Sequence, residues 1–258
     1  MIRPKKIFVV VLKQLDLGSA VAVRLTKLTG KSKTPLHPKH FLTSKPWYTK
    51  YLSESDTVLD LGCGTGQNVI KSAKLVQKII AVDIDKNFIE LAKKSAQSLG
   101  IKNVAFEMAN LEEKLKYKNN SFDKVIFLDV LEHLNNRDQI LTEIKRVLKP
   151  HGLLFLGVPN SQTSWKKLQH SVGVRSFSDP DHTIEFSERQ IKSLLQKNGF
   201  KIENFGYGVY DTPLRGLFDV IGGFSLTVYK ILSKWRKSKV KLSPEEASGF
   251  EIVSMKTS

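Results

Sequence analysis

The sequence has a single cysteine, Cys63, among its 258 residues, so no disulfide can form within the chain. Proteins of oxidising compartments often carry paired cysteines, and we therefore expect a reducing, cytoplasmic environment. The longest uninterrupted apolar run is IFVVVL at 7–12, far shorter than the roughly 20 residues of a transmembrane helix. Lys13 and Gln14 follow it too soon for a signal peptide, so we expect no cleaved leader.

Acidic residues are scarce at both ends of the sequence. Residues 1–50 hold 11 Lys/Arg against one acid, residues 51–211 hold 22 against 20, and residues 212–258 hold eight against four. Most of the net charge of +16 therefore lies outside a balanced middle region. We expect a basic helical arm or lid over 1–54, a charge-balanced core over 55–211, and over 212–258 a basic helix with a final strand that belongs to the same domain.

From residue 56 onward, short apolar runs alternate with helical patterns. The runs that predict strands are 57–62, 78–85, 102–110, 121–130, 152–159, 200–208 and 250–256. The patterns that predict helices are 67–76, 87–100, 137–150, 187–199 and 214–236. This alternation predicts an α/β domain with a doubly wound, mostly parallel sheet, whose ligand binds at the carboxyl ends of the strands.

The segment VLDLGCGTG at 58–66 places the carboxylate of Asp60 at the end of an apolar strand and follows it with three glycines. Glycines let a nucleotide-like ligand approach the backbone, and the helix that follows offers free N–H groups. A dinucleotide fingerprint would need a glycine where Gln67 stands. Because a carboxylate would repel a pyrophosphate, Asp60 favours a ligand with positive charge.

These residues resemble motif I of the class I S-adenosylmethionine-dependent methyltransferases. SFDKVIFLDVLEHLNN at 121–136 and LKPHGLLFLGVPN at 148–160 are similar to the ubiquinone and menaquinone biosynthesis branch of that family. The resemblance, which covers about residues 55–210, implies a seven-stranded sheet in the order 3-2-1-4-5-7-6 with helices on both faces. It also implies S-adenosylmethionine as the cofactor and S-adenosylhomocysteine as its product.

The resemblance implies that Asp60 serves the positively charged methionine end of the cofactor. Asp83, at the end of the second strand, is expected to accept hydrogen bonds from the ribose hydroxyls. Related enzymes often carry an Asp near the adenine at the end of the third strand, where this chain has Asn110, whose amide can also bind an adenine edge. The residues expected to bind the cofactor are Asp60, Gly62, Cys63, Gly64, Gly66, Asp83, Ile84, Asn110, Leu111 and Asp129.

Methyl transfer is an in-line displacement, in which the protein aligns the acceptor and removes its proton. We expect Glu132, His133 and His182 to be catalytic, with His133 as the best candidate base because histidine side chains exchange protons near neutral pH. Asp129, Glu132 and His133 would share one face if a helix followed Val130, and could then hold a divalent ion. Local pairing of Glu132 and packing of His133 under the cofactor is the favoured alternative, so no metal ligand is assigned.

His182 and three other residues have weaker assignments. His182 lies in a loop where similar enzymes carry a substrate-facing histidine, and packing on the sheet edge is its alternative role. His37 and His40 lie in the N-terminal arm, which often forms a lid over the pocket in this fold. Cys63, inside the cofactor loop, is interpreted as a small packing residue rather than a nucleophile.

Residues 1–30 and 214–241 combine apolar side chains at helical spacing with many lysines. This combination is typical of helices at anionic membrane surfaces, although packing on the sheet or over the pocket explains the same pattern. Nucleic acid is a less expected partner, because aromatic residues are not interleaved with the basic ones. The sequence does not indicate an oligomeric state.

The sequence therefore predicts a cytoplasmic methyltransferase for a small or lipid-like acceptor, with oxygen favoured over carbon as the target atom. A peripheral position on the inner face of a membrane is a further hypothesis. Two alternatives stay open at this point: an RNA methyltransferase that uses the basic arms, and a catalytically silent cofactor-binding subunit.

Overall fold

The structure is a computed structural model that describes residues 4–31, 37–41 and 45–257, apart from the side chains of Asp16 and His40. The described residues form two compact units. The helical unit comprises those within 1–44, 160–180 and 207–249, and the sheet unit comprises those within 45–159, 181–206 and 250–258. The domain boundaries expected near residues 54 and 211 stay predictions.

The seven strands make one mixed sheet in the order β3-β2-β1-β4-β5-β7-β6, which confirms the predicted order. The strands are β1 Thr57–Leu61, β2 Lys78–Asp83, β3 Val104–Met108, β4 Phe122–Leu128, β5 Leu148–Pro159, β6 Phe200–Tyr207 and β7 Gly249–Lys256. The pairs β1·β2, β1·β4, β2·β3 and β4·β5 are parallel. The order reverses direction at β1, so β1 and β4 end at the switch point where such sheets bind ligands.

Four helices belong to the sheet unit: α3 Gln67–Ser72, α4 Lys86–Ser98, α5 Arg137–Val147 and α7 Glu188–Lys197. Helix α4 packs on β2 and β3, and α5 packs on β5. Four consecutive residues of β1, 58–61, are buried, as expected of a parallel strand covered on both faces. The helix predicted over 137–150 ends earlier, at Val147, because Leu148 pairs with Phe122 and begins β5.

The helical unit contains α1 Pro4–Gln14, α2 Gly18–Leu28, α6 Ser164–Ser171, α8 Arg215–Phe224 and α9 Leu226–Leu242. Helices α2 and α8 pack closely, since a Cβ on Gly18 would lie only 2.5 Å from the carbonyl oxygen of Gly216. No helix within the described ranges has the length and apolar character needed to cross a membrane.

The segment 214–236, predicted as one helix, forms parts of two helices. Ser225 separates them, and its hydroxyl accepts the backbone N–H of Val228 as the N-cap of α9. Gly222 and Gly223 do not mark this break, because both lie inside α8. A Cβ on Gly223 would lie 2.7 Å from Leu25 Cβ of α2, so this glycine permits the close packing of α2 and α8.

His37 also lies in the helical unit. Its Nε2 atom is 3.2 Å from Oδ2 of Asp219. The Asp219 carboxylate also accepts hydrogen bonds from the hydroxyl groups of Ser19 and Tyr229. The His37 side chain therefore helps to hold the helical unit together. The side chain of His40 lies outside the described residues, and the lid expected of the N-terminal arm stays a prediction.

Candidate active site

Three glycines with left-handed backbone shape the loop after β1. Gly62, Gly64 and Gly66 have φ angles of 75°, 51° and 80°, which side-chain-bearing residues rarely adopt. A Cβ on Gly62 would collide with Val130, and one on Gly66 would lie 2.9 Å from Ala92 Cβ. Among the described residues, no atom lies within 4 Å of a Cβ placed on Gly64. Packing requires the outer two glycines, whereas Gly64 borders open space that a ligand can fill.

The glycine loop is hydrogen-bonded to the end of β2. The backbone N–H groups of Gly62 and Cys63 both donate to the carbonyl of Val82 at 2.9 Å. Asp83 accepts the N–H of Gly64 at 2.8 Å through Oδ2 and the N–H of Asp85 at 3.0 Å through Oδ1. Each carboxylate oxygen retains a second lone pair, so Asp83 can both hold the loop and accept from a hydroxyl group.

Asp85 and Ile84 follow Asp83 with different roles. The Asp85 side chain accepts the N–H groups of Asn87 and Phe88 as the N-cap of α4. The ribose contact of Asp83 stays a prediction. The Ile84 side chain is 65% exposed, so it is accessible to a ligand. Its contact with the cofactor stays a prediction.

Asp60 is a buried carboxylate at the end of β1. It pairs in register with Ala81 and Ile126 and is 2% exposed. Its Oδ2 atom has no hydrogen-bond partner among the described residues. Burial, with a further contribution from the charge of Asp83, raises the pKa of Asp60 to about 7. A buried carboxylate in this state is stabilised by a positively charged ligand, which fits the sulfonium and ammonium groups of S-adenosylmethionine.

Cys63 packs inside the glycine loop. Its side chain is 8% exposed, and Sγ lies 3.7 Å from the carbonyl oxygen of Gly64. Burial, assisted by the charges of Asp60 and Asp83, raises the pKa of the Cys63 thiol. The group is therefore kept in the protonated, weakly nucleophilic form.

The side-chain amide of Asn110 is engaged by its own neighbours. Its Nδ2 donates to Oε1 of Glu113 at 2.9 Å, and its Oδ1 accepts the backbone N–H of Glu112 at 3.0 Å. The adjacent Leu111 is 8% exposed. The amide thus stabilises the turn after β3, and contacts of Asn110 and Leu111 with the adenine stay predictions.

The helix assumed after Val130 does not form. Asp129 has a φ of 57°, and the N–H of His133 donates to the carbonyl of Val130 in a tight turn at 3.0 Å. Left-handed backbone at Asp129 turns the chain away from a helical path. Asp129 is exposed and does not belong to the group that contains Glu132 and His133, so the condition for a shared three-residue face is not met.

The structure instead groups Glu132 and His133 with His182. Their potential ligand atoms all lie within 4.8 Å of one another. His182 Nε2 lies 3.8 Å from Glu132 Oε1, and the two imidazole rings are 4.7 Å apart at an angle of 76°. Glu132 and His182 are 1% and 8% exposed. The three residues predicted to be catalytic are therefore neighbours.

Backbone hydrogen bonds bring these two segments together. The N–H of Thr183 donates to the carbonyl of Glu132 at 2.8 Å, and the Thr183 hydroxyl donates to the same carbonyl at 2.9 Å. Arg137 Nη2 donates to the Thr183 hydroxyl at 2.6 Å, and the N–H of Phe186 donates to the carbonyl of Pro159 at 3.1 Å. These bonds place residues 181–186 against the end of β4 and beside β5.

Two residues of this region are not indicated by motif. Glu185 is 4% exposed, and its Oε1 lies 2.9 Å from His182 Nδ1, a pairing that the three-residue spacing in HTIE allows.

Tyr48 is fully buried, stacks on Phe155 with a centroid distance of 5.4 Å, and shares a hydrogen bond with Ser72. Burial, with the nearby charge of Asp60, raises the pKa of the Tyr48 hydroxyl. Nothing in the sequence around Tyr48 indicates its position.

Two imidazoles and one carboxylate are suitable ligands for a divalent cation. The Glu185 carboxylate against the other nitrogen of His182 adds the outer partner that orients many metal-binding histidines. The three residues are therefore suited to hold a divalent ion as well as to act as a base, although no metal ligand was assigned from the sequence.

Comparisons with known proteins support one family. A family model described as a methyltransferase domain matches residues 52–202. The chain is 28% identical over 203 residues to the mitochondrial ubiquinone biosynthesis O-methyltransferase of Rattus norvegicus, covering 74% of this chain and 57% of that protein. It is 35% identical over 122 residues to the ubiquinone/menaquinone biosynthesis C-methyltransferase UbiE of Blochmanniella pennsylvanica, covering 44% and 48%.

A solved structure shows the same fold. The SAM-dependent methyltransferase from Methanosarcina mazei matches with a TM-score of 0.59 and 24% identity, covering 84% of this chain and 99% of that one. Because the family match extends over more than half of its residues, the chain belongs to the methyltransferase-domain family, as a class I S-adenosylmethionine-dependent methyltransferase. The chain spans about half the length of the curated relatives it matches.

Proposed function

We propose that the protein transfers the methyl group of S-adenosylmethionine to a hydroxyl oxygen of a small or lipid-like acceptor. The observation that carries this proposal is the grouping of Glu132, His133 and His182 beside the carboxyl end of β4, next to the strand that carries Asp60. An oxygen nucleophile must lose its proton during transfer, and this group can receive it.

His133 has the geometry of a base. Its Nδ1 lies 3.3 Å from the carbonyl oxygen of Asp181, which can only accept a hydrogen bond. The neutral ring therefore carries its proton on Nδ1 and keeps the lone pair of Nε2 for the acceptor hydroxyl. The buried carboxylate of Glu132 favours the imidazolium that forms.

A divalent ion held by Glu132, His133 and His182 would supply Lewis acidity that promotes ionisation of the acceptor hydroxyl. Glu132 and His182 would then be ligands, while Glu185 would keep His182 in the orientation that presents Nε2. Removal of metal by a chelator distinguishes this arrangement from a purely organic base.

Oxygen is favoured over carbon as the target atom for two reasons. The group beside β4 is suited to removing a hydroxyl proton, and the similarity to a protein named as an O-methyltransferase extends over 203 residues, against 122 for one named as a C-methyltransferase. Carbon methylation remains the second candidate, because a deprotonated phenol can also react through carbon.

The test is transfer of labelled methyl groups into lipid, small-molecule and RNA fractions of a cell extract. Label in the lipid or small-molecule fraction supports the proposal, and label in RNA alone contradicts it. Binding of cofactor with no transfer to any fraction favours a silent subunit. His133→Asn is expected to reduce kcat at least about 100-fold without changing cofactor affinity.

A matched control is His151→Asn. His151 is exposed, lies outside the group, and has a φ of 61°, which asparagine tolerates. This variant should keep kcat within about twofold of the original protein.

A further inference from the structure

The helical unit has an unusual surface. Of the 19 large hydrophobic side chains that are exposed among the described residues, 14 lie in this unit. Scattered exposed apolar residues need no explanation, but a concentration on a few helices indicates an interaction surface. Two helices show the pattern most clearly, and each can be followed residue by residue.

Helix α1 exposes its apolar side. Ile7, Phe8 and Val11 are 52%, 61% and 59% exposed, whereas Val9, on the opposite side of the helix, is fully buried. A helix on the surface of a soluble protein normally presents polar side chains to water. The α1 stripe, which we define as Ile7, Phe8, Val10 and Val11, is therefore exposed, and no element of the described residues buries it.

Helix α9 has a second exposed stripe. Val228, Ile231, Trp235 and Leu242 follow one another at helical spacing and are 43%, 61%, 45% and 86% exposed; we call them the α9 stripe. The two buried side chains of this helix, Tyr229 and Val240, point in another direction. The α9 stripe therefore lies outside the main packing face of the helix, although the Trp235 ring also contacts the rings of Tyr210 and Phe218, with centroids 6.2 Å away.

Exposed lysines lie beside the α9 stripe. Lys230, Lys234 and Lys241 are exposed and lie along one flank of it on the helix surface. Lys239 Nζ is 5.1 Å from the centre of the Trp235 ring, on the other flank. Apolar side chains with an interfacial tryptophan and flanking lysines are typical of helices that lie in a membrane interface.

The net charge of the helical unit also favours contact with an anionic membrane surface. Its sequence ranges hold 19 Lys/Arg and six Asp/Glu, so they carry +13 of the net charge of +16. Two of the six acids are internal: Asp219 bonds to Ser19 and Tyr229, and Asp211 accepts the hydroxyl of Thr163 at 2.7 Å. The outward field is therefore positive, as an anionic headgroup layer requires.

We propose that the helical unit docks on the surface of an anionic phospholipid bilayer, with the α1 stripe and the α9 stripe entering the boundary between headgroups and acyl chains. The flanking lysines contact the headgroups. A nucleic acid would account for the charge but not for the exposed apolar stripes, which is why a bilayer is the favoured partner. The docking is independent of the acceptor proposed above.

The test is co-sedimentation of the full chain with vesicles of phosphatidylcholine mixed with phosphatidylglycerol, and with vesicles of phosphatidylcholine alone. Binding is expected to the anionic vesicles and to weaken with salt. Ile231→Ser combined with Trp235→Ser, and separately Phe8→Ser combined with Val11→Ser, should each lower the partition coefficient about tenfold.

A matched control is Phe88→Ser combined with Leu99→Ser. These residues are 43% and 60% exposed but lie in the sheet unit, so their replacement should change vesicle binding by less than about twofold. Circular dichroism of each variant identifies any that fails to fold.

Tryptophan fluorescence gives a second readout that needs no destabilising variant. Trp235 is 45% exposed, Trp165 is 7% exposed, and Trp47 is half-buried. Brominated lipids in the anionic vesicles should quench a component of the emission that is missing from Trp235→Phe.

Three results would overturn the proposal. The first is vesicle binding that neither double serine variant of the stripes reduces. The second is the absence of quenching at Trp235. The third is binding of the protein to a single-stranded RNA at a salt concentration at which it does not bind the vesicles. The methyl-transfer assay on soluble acceptors does not depend on any of these outcomes.

Discussion

The backbone N–H of Gly64 donates to Oδ2 of Asp83 at 2.8 Å, although the two residues lie 19 positions apart in the sequence. The glycine loop and the end of β2 are therefore one hydrogen-bonded structure. Asp83 holds the loop in shape as a result, and its remaining lone pairs are predicted to accept hydrogen bonds from the ribose, which would give it two tasks.

Asp83→Asn should weaken both tasks. An amide cannot accept hydrogen bonds on both of its terminal atoms, so either Gly64 or Asp85 loses its partner. We expect cofactor affinity to fall at least about tenfold and the free energy of unfolding to fall by about 1–3 kcal/mol. Calorimetric titration with S-adenosylmethionine and urea unfolding measure the two effects.

Asp85→Asn is the control for this prediction. Asparagine caps helices as well as aspartate does, so the free energy of unfolding should change by no more than about 0.5 kcal/mol. An equal loss of affinity in both variants would show that Asp83 has no special position in the site.

Cofactor binding should depend on pH through Asp60. Its pKa is about 7 without ligand, so below that pH the group must release a proton before it can pair with a cation. Affinity should therefore increase as pH rises from about 5 to 7, by at most about tenfold per pH unit, and become constant above this range. Asp60→Asn should bind weakly and lose this dependence.

The same group makes the ligand-free protein less stable as pH rises. The folded state keeps a proton on Asp60 that the unfolded chain has already released, so this contribution to stability is present at low pH and declines between the unfolded pKa of 3.8 and the folded pKa of about 7. Thermal unfolding of the original protein and of Asp60→Asn across this range isolates the effect. A stability difference that is constant with pH would contradict the raised pKa.

Gly62→Ala and Gly64→Ala should have different consequences. The first places a methyl group against Val130, so we expect it to reduce stability by about 1–3 kcal/mol, and Val130→Ala should recover part of the loss. The second meets no atom of the described residues within 4 Å, so it should cost about 1 kcal/mol of backbone strain and mainly reduce cofactor affinity. Urea unfolding and calorimetric titration separate the two.

Glu185→Gln should slow methyl transfer without altering cofactor binding. Glu185 orients His182 through Nδ1, and neither residue belongs to the glycine loop or to β2, the strand that ends at Asp83. We expect kcat to fall about tenfold while the KM for S-adenosylmethionine stays unchanged. A rise in that KM instead would show that the change has disturbed the cofactor site.

The sequence predicts the sheet unit well because its information is local. The apolar runs that end in Asp60 or Asp83 can be recognised within a few residues, and so can the glycines that adopt a left-handed backbone. The predicted strand order is confirmed. The turn at Asp129 is different, because no local pattern distinguishes it from the start of a helix.

The grouping of His182 with His133 depends on bonds that no motif encodes. The N–H and hydroxyl of Thr183 both meet the carbonyl of Glu132, 51 residues earlier, and these bonds rather than the histidines themselves fix the geometry. The break at Ser225 is a similar case, since a capping serine inside an apolar pattern is only recognisable once the two helices on either side are seen.

The position of Cys63 has a consequence for chemical damage. The only thiol of the sequence lies in the glycine loop, where burial and two carboxylates keep it from ionising. Oxidants and alkylating reagents attack the thiolate, so the loop is protected from inactivation by them as long as it stays closed. The rate at which a thiol reagent modifies Cys63 would then report how often this loop opens.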